Sequence, residues 1–209
     1  MKRRDLFAFV AAVLATAPFP AVADDGPEVF AEIQGRLLRS AVLRADFRQE
    51  RVLRILKRPL VSSGRMVLAR GQGVLWQVAE PHRVTYLIRP AEILEWEAEA
   101  APRRVGVAAV PGFKLLTEMF LAALAGDLTA LAAAFDAEML PGERGWRVRL
   151  TPKTPDLSPF IATLEMSGER FVEAVRLQEA GGDAMAFAFD HFQTEPAQLN
   201  AAEEAYFAH

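Results

Sequence analysis

The stretch ARGQGVLW, residues 69–76, sets a Gly-Gln-Gly step between two apolar runs, with Arg70 directly before it. A phosphate-cradling loop needs a strand before it and a helix behind it whose N-terminus faces the anion. The residues after Gly73 are Val74, Leu75, Trp76, Gln77 and Val78, β-branched and aromatic types that favour a strand, and Pro81 ends the run. The stretch therefore reads as the turn of a hairpin joining VSSGRMVLAR (61–70) to GVLWQVAEP (73–81).

Strands extend the pattern on both sides. ADFRQERVLRIL (45–56) alternates around Phe47, Gln49 and Val52, and RVTYLIRP with EILEWEAEA make a second pair broken at Pro90. RRVGVAAV (103–110) is a weaker strand. After a helical segment come GWRVRLTP, FIATLEMSG, RFVEAVRLQEAG and DAMAFAFDHFQTEP, the last two joined at Gly181-Gly182-Asp183. Trp146, Val148 and Leu150 share one face, as do Met185, Phe187 and Phe189.

Two regions break this period. Asp25, Pro27 and Glu28 open a helix on which Phe30, Ile33, Leu37 and Ala41 recur at helical spacing. In GFKLLTEMFLAALAGDLTALAAAFDAEML (112–140), Phe113, Leu116, Phe120 and Leu124 mark one helix, Gly126 its C-terminal cap and Asp127 the next N-terminal cap. Leu128, Leu131, Phe135 and Met139 mark a second helix. The first of the pair has only Lys114, Thr117 and Glu118 as polar residues, so it must be covered on several sides. Helix, strands, helical pair, strands, without βαβ alternation, predicts a mainly β fold built on a single antiparallel sheet.

The N-terminus has the form of a secretory signal. Lys2, Arg3 and Arg4 precede an apolar run from Leu6 to Ala17, and Ala21-Val22-Ala23 fits a cleavage site. The run is shorter than the about 20 residues needed to span a bilayer. Cleavage of residues 1–23 leaves residues 24–209 as one domain with 21 basic against 26 acidic residues, net −5. That mildly acidic balance gives no argument for nucleic acid. The chain has no cysteine, which suits the periplasm, leaves no thiolate for a metal and offers no site for a lipid anchor.

Catalytic equipment is sparse. His82, His191 and His209 are scattered and show no metal-binding spacing, Ser63 lies in no nucleophile elbow, and Glu95 with Glu97 reads as a solvated strand face. No catalytic residue, metal or cofactor is assigned. The basic run Arg51, Arg54, Lys57 and Arg58 reads as an exposed hairpin rim. What stands out is apolar excess: three tryptophans, 14 phenylalanines and an apolar helical pair. Either one core absorbs them, or a curved sheet keeps a concave apolar face under the helical pair with room for an acyl chain. At about 0.8 kcal/mol per methylene, a chain of roughly 15 carbons would gain on the order of 12 kcal/mol there.

Phe47-x-Gln49, Gly64, Arg70 six residues before Trp76, Glu80-Pro81, and LTPK at 150–153 follow one another in an order that resembles the periplasmic outer-membrane lipoprotein carrier proteins, the LolA-like family. IRPAEILEW and the long, alanine-rich helical segment depart from its usual pattern and suggest a divergent branch. The resemblance implies an incomplete antiparallel β-barrel, a half-barrel, with an N-terminal helix and a helical lid at about 112–140. It implies a non-enzymatic, monomeric periplasmic carrier that shelters acyl chains of lipoproteins or related lipids and delivers them toward the outer membrane. An inner-membrane ABC transporter and an outer-membrane receptor are the partners it implies. The ligand-binding residues expected at the hydrophobic cavity are Phe47, Met66, Leu68, Trp76, Tyr86, Trp96, Leu150, Phe187 and Phe189. Leu116, Met119 and Phe120 are expected on the lid, with Arg70 as a latch hydrogen-bonding lid backbone. Two alternatives stay open: an interaction domain docking through the basic rim, and an enzyme on lipid-linked substrates using Ser63 or His191.

Overall fold

The computed structural model describes residues 26–90, 92–97, 101–105, 113–142 and 144–209, with the backbone alone for 113–116. The expected signal segment lies outside them. In chain order the elements are α1 (Gly26–Arg36), β1 (Val42–Val52), β2 (Leu60–Ala69), β3 (Gly73–Glu80), β4 (Val84–Ile88), β5 (Ile93–Glu97) and β6 (Arg103–Val105). Then follow α2 (Phe113–Leu124), α3 (Thr129–Ala134), β7 (Phe135–Met139), β8 (Trp146–Pro152), β9 (Ile161–Gly168), β10 (Ala174–Glu179), β11 (Ala184–Gln193) and α4 (Ala201–Phe207).

The strands form one antiparallel sheet in the order β6-β5-β4-β3-β2-β1-β11-β10-β9-β8-β7. It stays open, with β6 and β7 at its two edges. The 69–76 stretch is indeed the β2–β3 turn, with Ala69 opposite Gly73 and positive φ at Gly71 (77°) and Gly73 (126°). Both conformations favour glycine. A third glycine matters for how closely the strands approach. Gly64 stands opposite Phe47 beside a register shift, and a Cβ there would meet the Gln77 carbonyl oxygen at 1.9 Å.

One face of the sheet carries the main core. Phe30 and Ile33 of α1 pack with Leu43, Ala45 and Phe47 of β1, Met66 and Leu68 of β2, and the buried side of α2 and α3. The second predicted helix is shorter than its spacing suggested. α3 ends at Ala134, Phe135 turns to extended geometry (φ −130°, ψ 146°), and β7 pairs with β8 from Phe135–Pro152 to Met139–Val148. Phe135-Asp136-Ala137-Glu138-Met139 alternates in burial as an edge strand does, and the hydrogen-bonding edge of β8 decides between the two periods.

The other face is closed by α4, which the sequence reading lacked. Its N-terminus is a capping box: the Glu203 N–H donates to Asn200 Oδ1 (3.0 Å), and the Asn200 N–H to Glu203 Oε2 (2.9 Å). The Glu203 carboxylate also receives Arg44 of β1 in two bonds of 2.8 and 2.6 Å, with both side chains buried. Arg44 further donates to the carbonyls of Pro196 and Gln198, so the charge is fully partnered. Val42, Val67, Leu75, Leu87, Leu94 and Phe207 fill the apolar layer around it.

Removing one member of a buried ion pair strands the other charge, at about 3–5 kcal/mol. Glu203→Gln is expected to lower unfolding stability by that order in a urea titration. The Arg44 hydrogen bond holds the Glu203 carboxyl below its ordinary 4.5 against the opposing effect of burial. The folded state therefore binds fewer protons than the unfolded one through this window. The contribution is full above about pH 4.5 and is lost as pH falls toward the folded-state value, whereas the Gln variant lacks that component of acid sensitivity.

Candidate functional site

The concave face is neither wholly filled nor wholly empty. Phe47 stacks on Trp76 with ring centroids 3.9 Å apart, and Phe120 of α2, Phe187 and Phe189 surround the indole at 5.8–6.1 Å. This aromatic group fills the centre of the concavity. Beside it lies a cavity of about 290 Å³, between α2 and strands β9–β11.

Register builds the cavity wall. Leu164, Leu177 and Met185 are partners across β9, β10 and β11, and Met166, Val175 and Phe187 form the next row. All six line the cavity. Thr117, Met119, Phe120 and Ala123 of α2 close over them, and Ile88 and Ile93 complete the far rim. Among the described lining residues Thr117 alone is polar. Such a surface suits hydrocarbon, and no charged side chain is among its described lining residues.

Of the cavity residues expected from the sequence, Phe187 lines it. Phe47, Met66, Leu68, Trp76, Leu150 and Phe189 lie on the same face but are packed in the core, and Tyr86 is half-buried against that core. Trp96 is on the opposite face. Ile88 pairs with Ile93, so Thr85 pairs with Trp96, and the indole meets Tyr206 of α4 at 5.1 Å. The same register puts Glu95 opposite Tyr86. Glu95 is buried and ion-paired to Arg103, not solvated as its spacing suggested. Burial, then the charges of Glu95 and Glu97, pushes the Tyr86 hydroxyl above its ordinary pKa. Of the lid residues, Met119 and Phe120 line the cavity, whereas the side chain of Leu116 lies outside the described residues.

Arg70 meets the end of α2. The Gly126 N–H donates to the Ala123 carbonyl and the Asp127 N–H to that of Ala122, with Gly126 at φ 71°, a Schellman cap. Ala125, at the cap, keeps a carbonyl outside this pattern. Arg70 Nη2 donates to it at 2.7 Å, while Nε donates to the Ser40 carbonyl at 3.2 Å. The guanidinium is exposed and joins the β2–β3 turn, the α1–β1 loop and the end of α2. Gln34 of α1 accepts from the Leu128 N–H at 3.2 Å.

Other groups lie apart from the cavity. His191 Nδ1 is 3.0 Å from Asp46 and 3.2 Å from Asp190, all three exposed. Asp46 shares its sheet face with Arg44, away from the cavity, and no hydrogen bond links Ser63 to His191 among the described residues.

The family model described as outer membrane lipoprotein carrier protein LolA-like matches residues 25–182. The chain belongs to that family. Several solved structures are similar to this chain. A DUF1329 family protein from Desulfovibrio piger is 11% identical over 88% of this chain and 96% of its own, with a TM-score of 0.50. A LolA superfamily protein from Nitrosomonas europaea is 7% identical over 85% of this chain and 96% of its own (TM-score 0.48). A putative outer membrane lipoprotein-sorting protein domain from Vibrio parahaemolyticus is 7% identical over 89% and 99% (TM-score 0.46). No curated protein sequence matches the chain.

In this LolA-like chain, Ala123 points into the cavity and Trp96 away from it. Ala123→Phe is expected to weaken uptake of a hydrophobic fluorescent probe at least about tenfold by occupying the space, without loss of the cooperative melt. Trp96→Ala should leave probe affinity unchanged.

Proposed function

We propose that this protein is a non-enzymatic periplasmic carrier that holds acyl chains of lipoproteins or related acylated lipids in the α2-covered cavity and delivers them toward the outer membrane. The cavity carries the reading. Its volume lies near the lower bound of the about 300–1,000 Å³ range of ligand pockets, and its lining is apolar apart from Thr117. Hydrocarbon entering it exchanges water for a surface that asks for no hydrogen bonds. Membership of the LolA-like family supports the same role, with an ABC transporter of the inner membrane and an outer-membrane receptor as donor and acceptor.

Cargo must also leave, which sets a requirement on the lid. Arg70 ties the end of α2, at the Ala125 carbonyl, to the α1–β1 loop, at the Ser40 carbonyl, in a solvent-exposed setting. Hydrogen bonds of this kind contribute about 1 kcal/mol each, enough to favour the closed empty state without locking it. Arg70 thus serves as the latch, and α2 with α3 as the lid. A filled-core interaction domain is disfavoured by the cavity, and the Ser63–His191 enzyme alternative by the separation of those groups from it.

Native mass spectrometry of the protein recovered from cells, set against the delipidated form, is expected to reveal a bound acylated species. Failure to find or bind any acylated ligand would overturn the proposal. Arg70→Leu removes the closing contacts, so a fluorescent fatty acid should bind about three- to tenfold more tightly and transfer more slowly to acceptor vesicles. Unchanged affinity and transfer would remove Arg70 from the mechanism.

A further inference from the structure

All six large apolar side chains that are exposed among the described residues cluster at one end of the sheet. Val52, Ile55, Leu56, Leu60 and Val61 belong to the β1–β2 hairpin, and Ile55 is 88% exposed. The sixth, Phe160, precedes β9 and accepts the Ala180 N–H beside the β10–β11 turn, which adjoins the end of β1 through the Val52–Ala184 pair. Single exposed apolar residues are ordinary on any protein surface, but their collection at one pole is not.

The hairpin tip is also basic, with no acidic residue between 51 and 60. Arg51, Arg54, Lys57 and Arg58 lie within eight positions of one another, in a chain whose net charge is −3. Two of them are engaged. Arg51 reaches Glu179 at 3.9 Å, and Arg54 donates to the Gly181 carbonyl at 2.9 Å, tying the tip to the neighbouring turn. Lys57 and Arg58 are exposed and have no ion-pair or hydrogen-bond partner among the described residues.

We propose that the β1–β2 hairpin tip, with Phe160 beside it, docks on an anionic phospholipid bilayer surface, Ile55 and Leu56 entering the acyl boundary while Lys57 and Arg58 meet lipid phosphates. A projecting apolar point ringed by cations is the complement of an interface that is negative outside and hydrocarbon within. The remainder of the chain is net acidic, which favours this pole facing an anionic bilayer. Docking also sets the cavity near the membrane. Met185, which lines the cavity, pairs with Arg51, two positions before the tip begins at Leu53. That last consequence rests on the carrier reading; the docking itself does not.

The test is co-sedimentation of the protein, as recovered from the soluble fraction of its cells, with vesicles. One set contains phosphatidylglycerol and phosphatidylethanolamine in equal parts, the other phosphatidylcholine alone. Binding to the anionic vesicles is expected, falling as salt rises, with none to phosphatidylcholine. Ile55→Asp should weaken it at least about tenfold, and Lys57→Glu with Arg58→Glu roughly twentyfold or more. These side chains are exposed, and circular dichroism and melting of each variant should match the unaltered chain. No binding to anionic vesicles, or equal binding by all variants, would overturn the proposal. So would binding only to vesicles that carry extracted membrane proteins, which would assign the tip to a protein receptor. Hydrophobic-probe uptake should be the same in every variant; its loss in the unaltered chain would count against the carrier and leave docking standing.

Discussion

An antiparallel sheet of eleven strands that does not close on itself must cover its apolar concave face with something other than more sheet. Here the cover is α1, α2 and α3. The Phe47–Trp76 stack, braced by Phe120, Phe187 and Phe189, settles how closely that cover can approach. Where the rings meet, helix and sheet are in contact; toward β9–β11, where the wall is leucine, methionine and valine, they stand apart and leave the cavity. Gly64 belongs to the same constraint, because β3 can close on β2 only without a side chain at that place.

The sequence was most legible where its signals were local. The β2–β3 and β10–β11 turns announced themselves by glycines that occupy positive φ, and strand alternation gave the shared face of Trp146, Val148 and Leu150. It was least legible where a distant partner decided between two periods. Phe135 and Met139 are spaced as a helix face and also as a strand, and only the edge of β8 makes them strand. The capping box of Asn200 and Glu203 was present in the letters, but a seven-residue helix without the Arg44 partner in view carries little periodic signal.

For the site, the sequence identified a face and its cover rather than the individual lining. Alternation says which residues point the same way, not how much of that side the rings consume, so most of the residues expected on or near the cavity stand in the packed core on the same face. Trp96 shows a different limit. Its face follows from the register across the β4–β5 turn, where Arg89 and Glu92 exchange backbone bonds, and no property of Trp96 itself records that parity. The Leu164–Leu177–Met185 row was available as alternation in three successive strands, yet nothing in any single strand marked it as the open part.

The polar anchor between Arg44 and Glu203 lies behind the sheet, whereas the contacts at Ala125 lie in front of it and in water. The two sides therefore differ in what their rearrangement costs. Disturbing the back would strand a buried charge; shifting α2 at the front would give up wetted bonds and the apolar burial of Met119 and Leu124, with no charge stranded. The back is thus anchored by a buried charge pair and the front by apolar contact and exposed hydrogen bonds, so local opening at the front would not have to break the buried pair.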